Sequence, residues 1–240
     1  MIKVLPWYKV PQSQLLELLP SMKWLKHGEN TSPAADTAAL MLYVALLFMH
    51  DVEGDKEHEI HVAQSSYEAL GNATGLSRSL IRQGLARLIA LGVICPEGSN
   101  QRRRYVLTWA TRSWIKLPCQ AIVSKDKSIR PFKNFVLRSK YDLHAMKLYL
   151  YLACVRGRSV VYSVASYETI FQKTGIPEKD TRRAISMLLS SGLLKNVGRE
   201  PTIGSNSYGP NRYYLAGCEA FTDRRTTTGD SEGVMTSLEF

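Results

Sequence analysis

The chain repeats itself, and the repeat constrains its fold more tightly than any other feature. Ser66, Tyr67 and Glu68 recur as Ser166, Tyr167 and Glu168, one hundred residues later. Thr74-Gly75-Leu76 and Thr174-Gly175-Ile176 keep that offset, as do Gly92-Val93-Ile94 and Gly192-Leu193-Leu194. Upstream, Trp7 to Pro11 (WYKVP) matches Trp114 to Pro118 (WIKLP), and Ala39 to Tyr43 (ALMLY) matches Ala145 to Tyr149 (AMKLY). Each series closes on a β-prone stretch, Arg104-Tyr105-Val106-Leu107 and Arg212-Tyr213-Tyr214-Leu215. Matched landmarks in one order identify an internal repeat, which must be recognised before any fold is assigned. Residues 7–112 and 114–217 therefore read as two copies of one unit, with 218–240 as a polar, acidic tail.

A 240-residue chain suits two such units. The longest unbroken apolar run, Ala38 to Met49, is too short for the ~20 residues of a spanning helix, so a buried helix is expected there. No secretory leader is visible in MIKVLPWYKVPQS, and a cytoplasmic, nucleoid-associated protein is expected. Cys95, Cys119, Cys154 and Cys218 lie far apart without a C-x-x-C pair, which suits reduced, mostly buried thiols.

The net charge of +10 points to a polyanion partner. It is not shared evenly. Residues 7–113 carry 11 Lys/Arg against 10 Asp/Glu, whereas 114–216 carry 17 against 6. The second copy holds nearly all the excess.

Within copy one, Thr37 to Met49 reads as a buried helix, and Ser65 precedes a short helix from Ser66 to Leu70 with a Ser cap. Gly75 suits a tight turn, and Ser77 caps a third helix from Arg78 to about Leu91, with Ile81, Leu85 and Leu88 on one face. Gly92 ends it. Val93 to Cys95 and Arg103 to Trp109 then read as a β-hairpin. Copy two has the same frame, with Pro177 at the start of its third helix and a longer hairpin from Asn196 to Leu215. The fold expected is mainly α with small β-hairpin wings.

The stretch from Ala73 to Ile94 resembles the recognition-helix segment of winged-helix (helix-turn-helix) DNA-binding domains, and Thr174 to Leu194 shares its frame. The resemblance implies two tandem winged-helix domains and a non-enzymatic, sequence-specific binder of double-stranded DNA, most simply a transcriptional regulator. Tandem winged helices in one basic chain are also similar to plasmid or phage replication initiators, and the segment from Ser139 to Tyr151 looks like the start of the second winged helix in that group. A winged-helix scaffold for protein–protein contact is the third reading.

Arg is the best reader of guanine in the major groove, because its planar fork bonds N7 and O6 together. On the third helix of copy one, Arg78, Arg82 and Gln83 are placed for base contact, Ser79 for base or phosphate, and Arg87 for the surface beyond. Arg102, Arg103 and Arg104 on the first wing suit phosphate or a narrow groove. In copy two, Lys179 lies between two acids, Glu178 and Asp180, Arg182 and Arg183 follow them, and Asn211 and Arg212 lie on the wing. That copy reads bases, grips backbone or forms an interface. Lys125, Lys127 and Arg130 could track phosphates between the modules.

Residues 50–61 crowd five acids with His50, His58 and His61, but match neither H-E-x-x-H nor a calcium loop, so a solvated acidic loop is expected. No phosphate-binding Gly-rich loop or nucleophile elbow occurs. No catalytic residue, metal or cofactor is expected. Trp7 and Trp114 are expected to pack the start of each copy, and Tyr67 and Tyr167 to be core. The tail could tether a docking peptide for a partner or a second subunit.

Overall fold

The computed structural model describes residues 5–55, 59–98, 103–108, 113–157, 160–199 and 210–221. The fold is mixed: about 48% helix and 22% strand, with seven α-helices and small antiparallel sheets among the described residues. Strand content exceeds the mainly α expectation because several three- to five-residue strands are too short to show a sequence period.

The chain opens with β1 (Trp7–Pro11), α1 (Gln12–Ser21) and α2 (Ala35–Met49). Next come β2 (His50–Glu53), β3 (Ile60–Gln64), α3 (Tyr67–Thr74), α4 (Arg78–Ala90), β4 (Ile94–Glu97) and β5 (Arg104–Leu107). The second half follows with β6 (Trp114–Pro118), a short 3-10 helix (Arg130–Asn134) and α5 (Lys140–Val155). It ends with β7 (Ser163–Ala165), α6 (Tyr167–Thr174), α7 (Glu178–Ser191), β8 (Leu194–Arg199) and β9 (Asn211–Leu215).

Both long helices, α2 and α5, are buried on nearly all sides. That is why their sequences lack the polar stripe of a surface helix. Each supports a pair of shorter helices, α3 and α4 on α2, and α6 and α7 on α5. The pairs are built alike. Ser66 Oγ accepts from Ala69 N, and Ser166 Oγ from Thr169 N, each at 3.1 Å. In the turns, Thr74 and Thr174 donate back to Leu70 and Ile170 carbonyls at 2.6 Å and accept from the next apolar residues, Leu76 and Ile176. Gly75 and Gly175 sit at φ 76° and 70°, a left-handed conformation that a side chain resists.

Among the described residues three sheets complete the fold, with orders β1-β6, β2-β3-β5-β4 and β7-β9-β8. In the acidic segment expected to be a loop, β2 instead pairs with β3, which is anchored by β5, while Glu57 and His58 lie outside the described residues. Trp7 and Trp114 do not pack separate domain starts. Strands β1 and β6 pair with each other across the halves, and the two indoles stack at 5.8 Å. One continuous core runs through both halves. The described cysteines are unpaired, with Cys119, Cys154 and Cys218 buried and Cys95 exposed. Among the described residues no helix is long and apolar enough to cross a membrane.

Candidate nucleic-acid interface

Helix α4 begins on a firm cap, with Ser77 Oγ accepting from Leu80 N at 3.3 Å. Its buried residues Ile81, Gly84, Leu85 and Leu88 bind it to α2. Gly84 allows that approach to be close. A Cβ there would stand 2.7 Å from Leu42 Cδ1 and 2.9 Å from the Ala39 nitrogen. The opposite face projects Arg78, Ser79 and Arg82 into solvent.

Tyr67, expected in the core, is only half-buried and joins two elements. The guanidinium groups of Arg78 and Arg103 both lie 5.9 Å from its ring. The start of α4 and the loop end of the β4–β5 hairpin therefore share one basic face. Burial raises the pKa of Tyr105, and the nearby positive charge of Arg103 opposes that rise.

Three other residues expected on this surface are held elsewhere. Arg87 is not a free surface cation: its Nε donates at 2.8 Å to Oδ1 of Asp36, a fully buried carboxylate. A buried charge must be paired, so Arg87 is committed to the core. Gln83 Oε1 accepts from Ser32 N at 2.6 Å, and its Nε2 donates to Ser79, which pins the loop before α2. Arg104 is gripped by Glu53 of β2 at 2.7 Å and approached by Glu97 of β4 at 3.9 Å, so the acids of the neighbouring strands neutralise it. Arg102 lies outside the described residues.

In the second half, Ser166, Tyr167, Arg182, Ser186, Arg199 and Asn211 help line an open groove of about 790 Å³ between α6, α7 and the β8–β9 hairpin. Arg182 and Lys179 are exposed. Of the two acids that cloud this helix in sequence, Asp180 turns inward. It is 4% exposed, accepts from Lys140 Nζ at 2.7 Å, and has its pKa lowered chiefly by that bond. Only Glu178 faces out. Arg183 reaches back to Tyr141, bonding its hydroxyl at 2.6 Å with the guanidinium 4.8 Å from the ring. Arg212 stacks 4.6 Å from Tyr162, and Asn211 donates to the Tyr213 hydroxyl at 3.3 Å. Arg199, which spacing alone did not single out, lines the same groove as Arg182.

Lys125 and Lys127 are exposed on a tight turn, and Arg130 is exposed at the start of the short 3-10 helix that follows. Asp126 Oδ1 closes the turn by accepting from the Ser128 hydroxyl at 2.8 Å and backbone at 3.2 Å; those bonds lower its pKa. Lys127 takes φ 65° to allow the closure. Ile129 N then donates to the Ala73 carbonyl at 2.8 Å, so this second-half turn docks at the end of α3. Sequence order alone gave no hint of that placement.

His50 and His61 stack at 5.0 Å. Burial and the neighbouring His50 lower His61 to about 4, so both sit as neutral packing groups at neutral pH. Comparisons of the chain with protein-family models, curated proteins and solved structures found no match.

Proposed function

We propose that this protein is a sequence-specific double-stranded DNA-binding protein, built of two winged-helix units related by internal duplication and used as a transcriptional regulator. Support for the duplication is the repeated cap, turn and helix pairing around Gly75 and Gly175. The observation that carries the DNA reading is the bridging of Arg78 and Arg103 by Tyr67. It sets the first turn of α4 beside the hairpin, the two parts with which a winged helix meets a groove and its backbone. Exposed Arg82 and Arg182 lie at matched positions on α4 and α7 and are the base-reading candidates. Arg103, Lys125, Lys127 and Arg130 are the phosphate-contacting candidates. A regulator of this kind acts without chemistry on its DNA.

The test is selection of fragmented genomic and plasmid DNA on the purified protein at about 150 mM salt, where weak electrostatic binding is suppressed. A shared motif at promoters is the expected result. Enrichment in repeated origin arrays would replace regulation with replication initiation. Recovery of no motif would remove specific duplex recognition and favour the protein–protein scaffold. If six to ten phosphates are contacted, affinity falls by roughly 10³ to 10⁵ between 50 and 200 mM salt.

A further inference from the structure

The β1–β6 ribbon is symmetric about one residue pair. Trp7 lies opposite Pro118, Tyr8 opposite Leu117, Lys9 opposite Lys116, Val10 opposite Ile115 and Pro11 opposite Trp114. Because the strands are the matched WYKVP and WIKLP segments, Lys9 faces its own counterpart. A local two-fold axis therefore passes between Lys9 and Lys116. Side chains obey it. Lys9 Nζ lies 5.3 Å from the Trp114 ring, and Lys116 Nζ lies 4.8 Å from the Trp7 ring.

The same axis relates contacts farther from the ribbon. After β1 the chain crosses to the second half, where α1 packs on α5 and α6. After β6 it crosses the other way, and Ile129 N bonds the Ala73 carbonyl at the end of α3. The two long helices meet each other between these crossings. A hollow beside Tyr8, His50 and Cys119 has a mate beside Ile115, Arg156 and Gln12. His50 and Arg156 are the C-caps of α2 and α5. The halves are thus arranged like the subunits of a two-fold dimer and not like beads displaced along a line.

We infer that the DNA recognised is an imperfect inverted repeat bound by a single chain, with the dyad of the DNA on the axis through Lys9 and Lys116. This rests on the DNA-binding reading above. Two units related by a two-fold axis present their recognition helices to the duplex in opposite senses, so protein symmetry is mirrored in the half-sites; units related by translation read a direct repeat. Half-site centres one helical turn apart, roughly 10 bp, suit a compact pair.

The repeat is imperfect because the two helices differ. Arg78 is matched by Glu178, Ser79 by Lys179 and Gln83 by Arg183, whereas Arg82 and Arg182 are the same residue. Both of the latter are exposed. The half-sites therefore share the base pair that Arg82 and Arg182 read, a guanine being the best partner for each, and diverge beside it.

The test is selection from a randomised duplex library with the full chain and its Arg82→Ala and Arg182→Ala variants, each checked by its melting curve. The expected motif has two inverted arms with guanine at symmetry-related positions on opposite strands. Arg82→Ala should relax one of those positions and Arg182→Ala its mate, each weakening binding to the selected site about tenfold to a hundredfold. Light scattering of the complex should show one chain per site. Arms in the same orientation, variants that relax positions unrelated by the dyad, or two chains per site would overturn the inverted arrangement while leaving DNA recognition intact. Failure of the wild-type chain to enrich any motif would overturn the DNA reading itself, and this inference with it.

Discussion

Arg87 and Arg82 lie five residues apart on α4 and have different fates. Arg82 is exposed, while Arg87 compensates the buried Asp36, which also accepts from Lys23 N at 2.6 Å and from His27 at 3.0 Å. Arg87→Ala should cost about 2–4 kcal/mol of stability in urea unfolding, because removing a partner strands a buried charge. Arg82→Ala should leave the unfolding free energy in urea within about 0.5 kcal/mol of wild type. Lys147 is an opposite case. It is 3% exposed, bonds the Met22 carbonyl at 3.0 Å, and burial lowers its pKa to about 8 despite the attraction of Asp36. A base with a depressed folded pKa destabilises the fold below that pKa, and the cost disappears as pH rises toward the unfolded value of 10.5. The copy-one counterpart is Met41. Lys147→Met should therefore stabilise the protein by about 1–2 kcal/mol at pH 7, after allowing for the lost hydrogen bond, and show a smaller gain at pH 10.

Among the elements, the contact of α4 with α2 depends on Gly84, whose counterpart on α7 is Ala184. Gly84→Ala places a methyl against Leu42 and the α2 backbone. Overpacking of this kind costs about 1–3 kcal/mol, although alanine is the better helix former, so a lower melting temperature is expected. The two halves also share an acid weakness. Burial lowers His61 on β3 and His144 on α5 to about 4, in the first case helped by His50 and in the second opposed by Asp180. Neutral histidine is favoured in the fold, so the unfolded chain takes up more protons below pH 6.5. Stability should fall as pH drops from 6.5 toward 4, by at most on the order of 3 kcal/mol per histidine, and then level off with respect to these groups. Urea midpoints for His144→Asn should show a shallower decline than wild type.

At the scale of the molecule, the halves are interlocked. The ribbon, the crossing of α1 onto α5 and α6, and the reverse crossing at Ile129 place one core under both. Unfolding should therefore be a single transition, with tryptophan fluorescence and far-UV circular dichroism superimposing in urea. Deleting residues 1–21, which removes β1 and α1, should lower the stability of the second half although no residue of that half changes. Two separated transitions in the intact chain would contradict the shared core.

The sequence by itself determined the parts whose causes are local. Ser66, Ser77, Thr74 and Gly75, with Ser166, Thr174 and Gly175, define caps and turns within a few residues. Apolar spacing at Ile81, Leu85 and Leu88 sets the buried face of α4. Those signals put α2 to α7, the β4–β5 and β8–β9 strands and the exposed Arg78, Arg82 and Arg182 within reach of a reading from residues alone, but not α1 or the pairing of β2 with β3. Only the tertiary structure decided which polar groups stay available and how the two halves meet. Arg87, Gln83 and Arg104 each find a partner 51 residues away, and Ser113 meets Gln12 across 101. A bond over such a separation leaves no periodicity to read, because it depends on where packing brings two surfaces together. The pairing of Lys9 with Lys116, and the two-fold axis it creates, belongs to that second kind: the repeat shows that two like strands exist, and only the fold makes them partners.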